Sequence, residues 1–227
     1  MKKTILISTL IFVTLFAVGC ASTTVKTTSN QSSTPAIAEN VALVTETFSS
    51  GLGSWYEEMR YTKQSSGGEV VADISGLTFK GVQPNSRSGV MLDLNREVSE
   101  FKKLNLEVII EADTQTLQGT GSQGREAPVA VAVSYQGADG SEHTALGEDP
   151  NVSGQMFWRG FYYLEPTDQQ SGIINGVKVL QGQPYTFKFD LMSLNPQPKK
   201  IYFVALEGAG WKEREGKVSS ISILGEK

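Results

Sequence analysis

The sequence predicts an all-β protein: a two-sheet antiparallel β-sandwich of about ten strands. Three observations predict it. From Val41 onward apolar residues recur with period two, no twelve-residue window carries a helical apolar stripe, and the chain's 23 glycines, all but Gly19 in this region, fit turns between strands. About ten strands in one domain must bury one face each, so they pack as two sheets or close as a barrel.

Taken in order, a first strand is expected near 43–48 and others near 69–74 and 77–81. Val90, Leu92 and Leu94 then alternate with Met91 and Asp93. Leu104, Leu106, Val108 and Ile110 share one face of the next run, and Glu107, Glu111 and Asp113 share the opposite one. In Val129–Tyr135 large residues alternate with alanines. A strand follows near 155–164. Tyr185, Phe187, Phe189 and Leu191 alternate with Thr186, Lys188 and Asp190, and the last strands lie near 199–207 and 217–224. Gly137-Ala-Asp-Gly140 is a hairpin signal. No internal repeat and no second linker interrupt 41–227, so these residues are read as a single domain.

The first twenty residues carry a different signal. Met1-Lys2-Lys3 is a short positive start, Thr4–Phe16 is an apolar run, and Ala17-Val18-Gly19-Cys20 closes it. The run is too short for the roughly 20 apolar residues of a bilayer-spanning helix, so it reads as a secretory signal over 1–19. The segment resembles the lipobox of bacterial lipoproteins, with Ala17 where Leu is usual. The resemblance implies that Cys20 is acylated, with palmitate-type chains, and becomes the first mature residue. Cys20 is the only cysteine, so an exported form has no internal disulfide and its thiol needs another role. Ala21 after the cysteine resembles an outer-membrane sorting signal if the cell is Gram-negative. Otherwise the implied location is the outer face of the cell membrane. Either way the protein is expected in the cell envelope.

Removing residues 1–19 takes away Lys2 and Lys3 and shifts the net charge from −4 to −6. A mildly acidic domain has no electrostatic footprint for nucleic acid or anionic lipid, so the expected contact with the bilayer is the acyl group alone. Each buried methylene contributes about 0.8 kcal/mol, and stable attachment takes more than one chain. Between Ala21 and Thr34, nine of fourteen residues are Ser or Thr, and Pro35 follows. Residues 20–40 therefore read as the lipidated Cys and a tether of roughly 25 Å root-mean-square reach.

The segment Val44-Thr-Glu-Thr-Phe48-Ser-Ser-Gly51-Leu-Gly-Ser-Trp55 resembles the opening strand of galactose-binding-like jelly rolls. Gly210-Trp211 through Leu224 resembles their closing strand. That family includes carbohydrate-binding modules. The resemblance implies a glycan site on a concave sheet face or at loop tips, often beside a structural Ca²⁺. Ser49 stands where an acidic residue commonly follows the opening Phe, which departs from the Ca²⁺ pattern. Glu148-Asp149-Pro-Asn151 offers oxygens for Ca²⁺, and an Asp-Pro turn explains it equally well. No cofactor is otherwise expected.

Chemistry-bearing patterns are few. Gly119-Thr-Gly121-Ser-Gln-Gly124 fits a dinucleotide fingerprint, but that site needs a helix to follow and Arg125-Glu-Ala-Pro128 leads into a strand. It reads as a loop. His143 is the only histidine, which argues against zinc and against a Ser-His-Asp triad. Glu107, Glu111 and Asp113 share a strand face, where solvated charge is the default reading and paired carboxyls of a glycosidase the other. The densest aromatic segment is Met156–Tyr163. Phe157, Arg159, Phe161 and Tyr163 take one side; Trp158 and Tyr162 take the other. If one side is core, the other exposes rings that can stack on a sugar; alternatively both are buried. The candidate ligand-binding residues are Trp158, Arg159, Tyr162, Trp211 and Arg125. Trp211 is either a lid on the core or an exposed contact. No catalytic residue is assigned. The expected function is a membrane-anchored, non-catalytic binder of glycan or another envelope polymer. The alternatives are a structural or assembly lipoprotein contacting envelope proteins and, behind it, an envelope glycan hydrolase or lyase.

Overall fold

The structure is a computed structural model that describes residues 40–58, 67–82, 86–121, 124, 126–144, 156–166, 173, 175–210 and 213–227. Cys20, the signal and tether, Glu148, Asp149, Asn151, Arg125 and Trp211 lie outside the described residues. Residues Ile37–Lys227 form one compact unit.

The described elements are strands, with one 3-10 turn at Leu191–Ser193. The strands are β1 (Asn40–Glu46), β2 (Tyr56–Glu57), β3 (Gly68–Asp73), β4 (Gly76–Gly81), β5 (Ser86–Glu97), β6 (Lys103–Gln115) and β7 (Ala127–Gly137). They continue as β8 (Glu142–His143), β9 (Phe157–Tyr162), β10 (Gly176–Lys178), β11 (Tyr185–Asp190), β12 (Pro198–Gly210) and β13 (Arg214–Glu226). The first sheet runs β11-β6-β13-β4-β3, with β1 also on β13; the second runs β10-β9-β7-β12-β5-β2, with β8 also on β7. This is the two-sheet sandwich that the alternation predicts. One pairing departs from the antiparallel expectation: β10 lies parallel to β9, Gly176 opposite Gly160 and Lys178 opposite Tyr162. The thirteen residues between the two strands are of the length that parallel pairing requires.

Strand alternation decides what is buried. On β6, Leu104, Leu106, Val108, Ile110 and Ala112 face inward, and the residues between them are half-buried. On β7 and β12 the inward residues are Val129, Val131, Val133, Val204 and Leu206. Such side chains contribute about 1.5–3 kcal/mol each when fully buried. Phe48 sits in the left-handed region at φ 61° and is fully buried. Glu46 Oε1 accepts from the amides of Thr47 and Phe48, both at 2.9 Å, which holds that turn. The Phe48 ring meets Trp55 edge-on at 5.5 Å, so the opening segment is a core anchor.

Between β9 of the second sheet and the edge strand β11 of the first, the core is closed by rings. Phe157 lies 4.8 Å from Phe189, and Phe161 meets Phe187 edge-on at 5.5 Å. At the end of β11, Asp190 Oδ1 accepts from the amides of Met192 and Leu104, each at 3.0 Å. One carboxylate thereby caps the 3-10 turn and fixes it to β6. The expected hairpin joins β7 to β8: Gly140 has φ 86°, and Asp139 Oδ1 accepts from Ser141 N at 3.0 Å and from its hydroxyl at 2.6 Å.

Candidate functional site

The second sheet has a face turned away from the core, and its cross-strand registers define rows. Trp158 of β9 stands opposite Ala132 of β7, Ala132 opposite Ala205 of β12, Ala205 opposite Met91 of β5, and Met91 opposite Tyr56 of β2. The neighbouring row runs Gly160, Ala130, Glu207, Gly89. On the other side Ser134, Phe203 and Asp93 form a row. Small residues thus floor the middle of this face. Met91, Ala127, Ala130, Ala132, Met156, Trp158 and Ala205 make a buried apolar cluster there, separate from the core between the sheets.

Trp158 is 2% exposed. Its indole lies over Gly160, where a Cβ would come within 2.2 Å of Cη2. Its Nε1 donates to Glu207 Oε1 at 2.9 Å, and Glu207 is buried as well. Tyr162 is also buried, and burial, with Glu165 nearby, pushes its hydroxyl above the usual tyrosine range. Both rings are packed and neither offers an open stacking surface.

Arg159 does not meet these rings. Alternation places it on the opposite side of β9, at the margin of the core. Its guanidinium lies 4.7 Å from the Phe157 centroid and 5.6 Å from that of Phe189. It donates to the Trp158 carbonyl at 2.8 Å and to Asn175 Oδ1 at 3.3 Å. Burial lowers its pKa, and two ring faces substitute for solvent around it. Trp158 and Tyr162 therefore share one side of the strand, and Arg159 closes the other.

The accessible part of the same outer face lies toward the far end of β12. The register shifts between Ile201 and Phe203. This bulge lets Tyr202 and Phe203 follow one another on the outer face, where strict alternation would separate them. Tyr202 Oη donates to Glu142 Oε1 at 2.8 Å, and Gln136 Nε2 donates to the same oxygen at 3.0 Å. Tyr56 Oη donates to Asp93 Oδ1 at 3.1 Å. Burial first, then this bond, pushes the Tyr56 hydroxyl up to about 12. Glu142 holds the Tyr202 hydroxyl above its usual range too. Both phenols stay protonated at neutral pH and lock the two carboxylates. Asp93 and Glu142 are exposed, and each carboxylate has a second oxygen that can accept. Three rings beside fixed carboxylates match the apolar face and hydroxyl edge of a sugar.

Other patterns resolve as structure. Gly119, Gly121 and Gly124 all have φ between 60° and 74°, and the described residues here are in turns ahead of β7, none of them in a helix. Gly119 N donates to the Leu164 carbonyl at 2.7 Å, tying this loop to the end of β9. His143 stacks on Tyr135 at 4.4 Å, and its Nε2 is 2.9 Å from Ser141 Oγ. Ser141 is bound to Asp139, so the order is Asp-Ser-His and the imidazole does not lie between hydroxyl and carboxylate. On the outer face of the first sheet, Glu107 pairs with Lys188 at 2.7 Å, while Asp113 hydrogen-bonds to Glu111. Among the described residues no three of His, Cys, Asp and Glu gather as a metal site would need.

No family model and no curated protein matches this chain. Several solved structures are similar to it. A xylan-binding module, CBM15, is 11% identical over 83% of this chain and 97% of its own, with a TM-score of 0.42. A family 11 carbohydrate-binding module from Clostridium thermocellum, in complex with a β-1,3-1,4-mixed-linked tetrasaccharide, is 12% identical over 84% of this chain and 97% of its own, with a TM-score of 0.42. A family 29 carbohydrate-binding module from Piromyces equi is 7% identical over 83% of this chain and 91% of its own, at 0.40.

Proposed function

We propose that this chain is a lipid-anchored, non-catalytic glycan-binding protein of the bacterial envelope. The observation that carries the binding reading is the group Tyr56, Tyr202 and Phe203 on one outer sheet face, with Asp93 and Glu142 fixed by the two phenols. Aromatic rings stack on the apolar C–H face of a sugar, and carboxylate oxygens at ring height accept from its hydroxyls. The rigid floor of Ala130, Ala132 and Ala205, held by Trp158 and Glu207, keeps this surface flat and pre-formed. A pre-formed site loses little entropy on binding. In this reading Trp158 braces the site from beside it on the same face, and the contact residues are those further along that face. A glycan-array screen of the full chain, followed by titration calorimetry with the strongest oligosaccharide, tests it. Saturable binding lost on Tyr202→Ala supports the reading; no binding to any glycan overturns it and leaves an assembly role with protein partners.

The anchor is a separate part of the proposal. Its support is the apolar run ending in Ala17-Val-Gly-Cys20 and the Ser/Thr-rich segment that follows. Wild-type protein should fractionate with membranes and carry added acyl mass, and Cys20→Ser should abolish both. A membrane-bound wild-type protein without that mass rules the anchor out.

A further inference from the structure

The candidate contact surface has a charge pattern of its own. Its residues run across the strands: Glu142 on β8, Gln136 on β7, Tyr202 and Phe203 on β12, Asp93 on β5 and Tyr56 on β2. Three strand spacings of about 4.8 Å separate Glu142 from Asp93, roughly 14 Å, with the Tyr202–Phe203 pair between them. A ligand that touches both carboxylates is therefore a chain of sugars rather than a single one.

Carboxylates dominate this surface. Glu142 and Glu97 both act on the Tyr202 hydroxyl, and Asp93 and Glu58 on that of Tyr56. Lys200 is the cation placed against these rings, with Nζ 5.2 Å from the Tyr202 centroid. Arg96, further along β5, is held by Glu100 at 3.1 Å. Four carboxylates thus outnumber one lysine. Lys200 also shows what the ring takes, since an ammonium is attracted to an aromatic face. Beside the rings, Ser134 stands opposite Phe203, is fully buried, and its hydroxyl has no hydrogen-bond partner among the described residues. A polar ligand group seated beside Phe203 would satisfy it.

We propose that this surface selects glycans carrying free amino groups: an oligosaccharide of glucosamine type lies across the strands from Glu142 to Asp93, its apolar faces on Tyr202, Phe203 and Tyr56 and its ammonium groups toward the carboxylates. This rests on the glycan-binding reading and adds the charge of the ligand to it. Neutral sugars gain only stacking and hydroxyl contacts, and uronates or sulfated sugars meet like charge. The carboxylates are at the surface, so each ion pair is worth a few-fold in affinity and weakens with salt.

Titration calorimetry of the full chain tests this at about pH 6, where amine and carboxylates are both charged. The probes are a glucosamine oligomer, its N-acetylated form, a glucose oligomer and a glucuronate oligomer of matched length. The amine oligomer should bind about five- to tenfold more tightly than the N-acetylated one at low salt, and the advantage should fall steeply in concentrated sodium chloride. Asp93→Asn with Glu142→Gln keeps an acceptor oxygen for each phenol and removes the charge. The double variant should lose the advantage and keep its affinity for the neutral oligomers. Saturable binding of neutral oligomers with no preference for the amine overturns the inference and leaves the glycan-binding reading intact. No binding of any oligomer overturns both. Amine binding that survives Tyr202→Ala, or that a lysine oligomer of equal charge matches, is charge attraction alone and also overturns the inference.

Discussion

Trp158 Nε1 donates to Glu207 Oε1 at 2.9 Å, and this buried bond joins β9 to β12 across β7. It lies on the outer face of the second sheet, away from the core between the sheets. A buried carboxylate needs charge-stabilising partners, and an indole N–H needs an acceptor. Each supplies what the other lacks. The indole in turn covers the small residues of the floor, so one hydrogen bond and one ring fix the spacing of strands that carry the candidate contact surface.

Removing the acceptor tests the bond. Glu207→Ala leaves a buried indole N–H without this partner and should cost about 1–3 kcal/mol of stability in urea unfolding. Glu207→Gln keeps an acceptor oxygen in place and should cost less. Equal losses in both variants would put the effect in the lost charge rather than in the hydrogen bond.

The close approach over Gly160 gives a second test. An alanine there brings a methyl within 2.2 Å of Trp158 Cη2, the far edge of a rigid ring. The ring must rotate out of its place. Gly160→Ala should destabilise by about 1–3 kcal/mol, as overpacking does, and should alter the near-ultraviolet circular dichroism of tryptophan. Adding Trp158→Phe, a shorter ring, should recover part of the loss. A wild-type spectrum in Gly160→Ala would show that the indole does not lie there.

On the first sheet, burial raises the Asp113 pKa to about 6, with the Glu111 hydrogen bond and charge as the next causes. The unfolded chain titrates this group near 3.8. The folded state therefore holds the proton more tightly. That contribution is complete below about pH 4 and is lost as pH rises through about 6. Asp113→Asn carries its hydrogens at every pH, so the decline in Tm over that window should flatten in this variant. Identical pH profiles for both proteins would show that the pair does not share a proton.

How much of this was legible in the sequence differs between fold and site. The ten expected strands are present because each buries one face, and burial imposes period two on strands long enough to show it. The additional strands β2, β8 and β10 are two or three residues long, too short for a period. Parity placed Trp158 and Tyr162 together and Arg159 opposite, but it cannot say what covers a face. Both sides of β9 are packed, one by the core rings and one by the alanine and methionine cluster. The Tyr202–Phe203 pair was hidden for the opposite reason: a bulge cancels the alternation by which faces are read. Glu207 is not legible because charges are read as solvated by default. The signal for Glu207 was present, a lone carboxylate within Val204-Ala-Leu-Glu-Gly-Ala-Gly210.

The roles of support and contact separate in one set of variants. Trp158→Ala removes a buried ring and should cost about 3–5 kcal/mol of folding free energy. Tyr202 is only half-buried, so Tyr202→Ala should change stability little. Its cost should fall on the glycan: about 1–3 kcal/mol, a tenfold to hundredfold loss of affinity, as for aromatic hot spots. Tyr56→Phe keeps the ring and frees Asp93, so a smaller loss confined to a hydroxyl contact is expected. Arg159→Met should lower stability by about 0.5–2 kcal/mol through the lost cation–ring contacts and leave glycan affinity unchanged, because it faces the other side of β9. Unfolding and ligand titration on the same four proteins decide the matter. An affinity lost in Arg159→Met but kept in Tyr202→Ala would move the site from the outer face of the second sheet to the seam between β9 and β11.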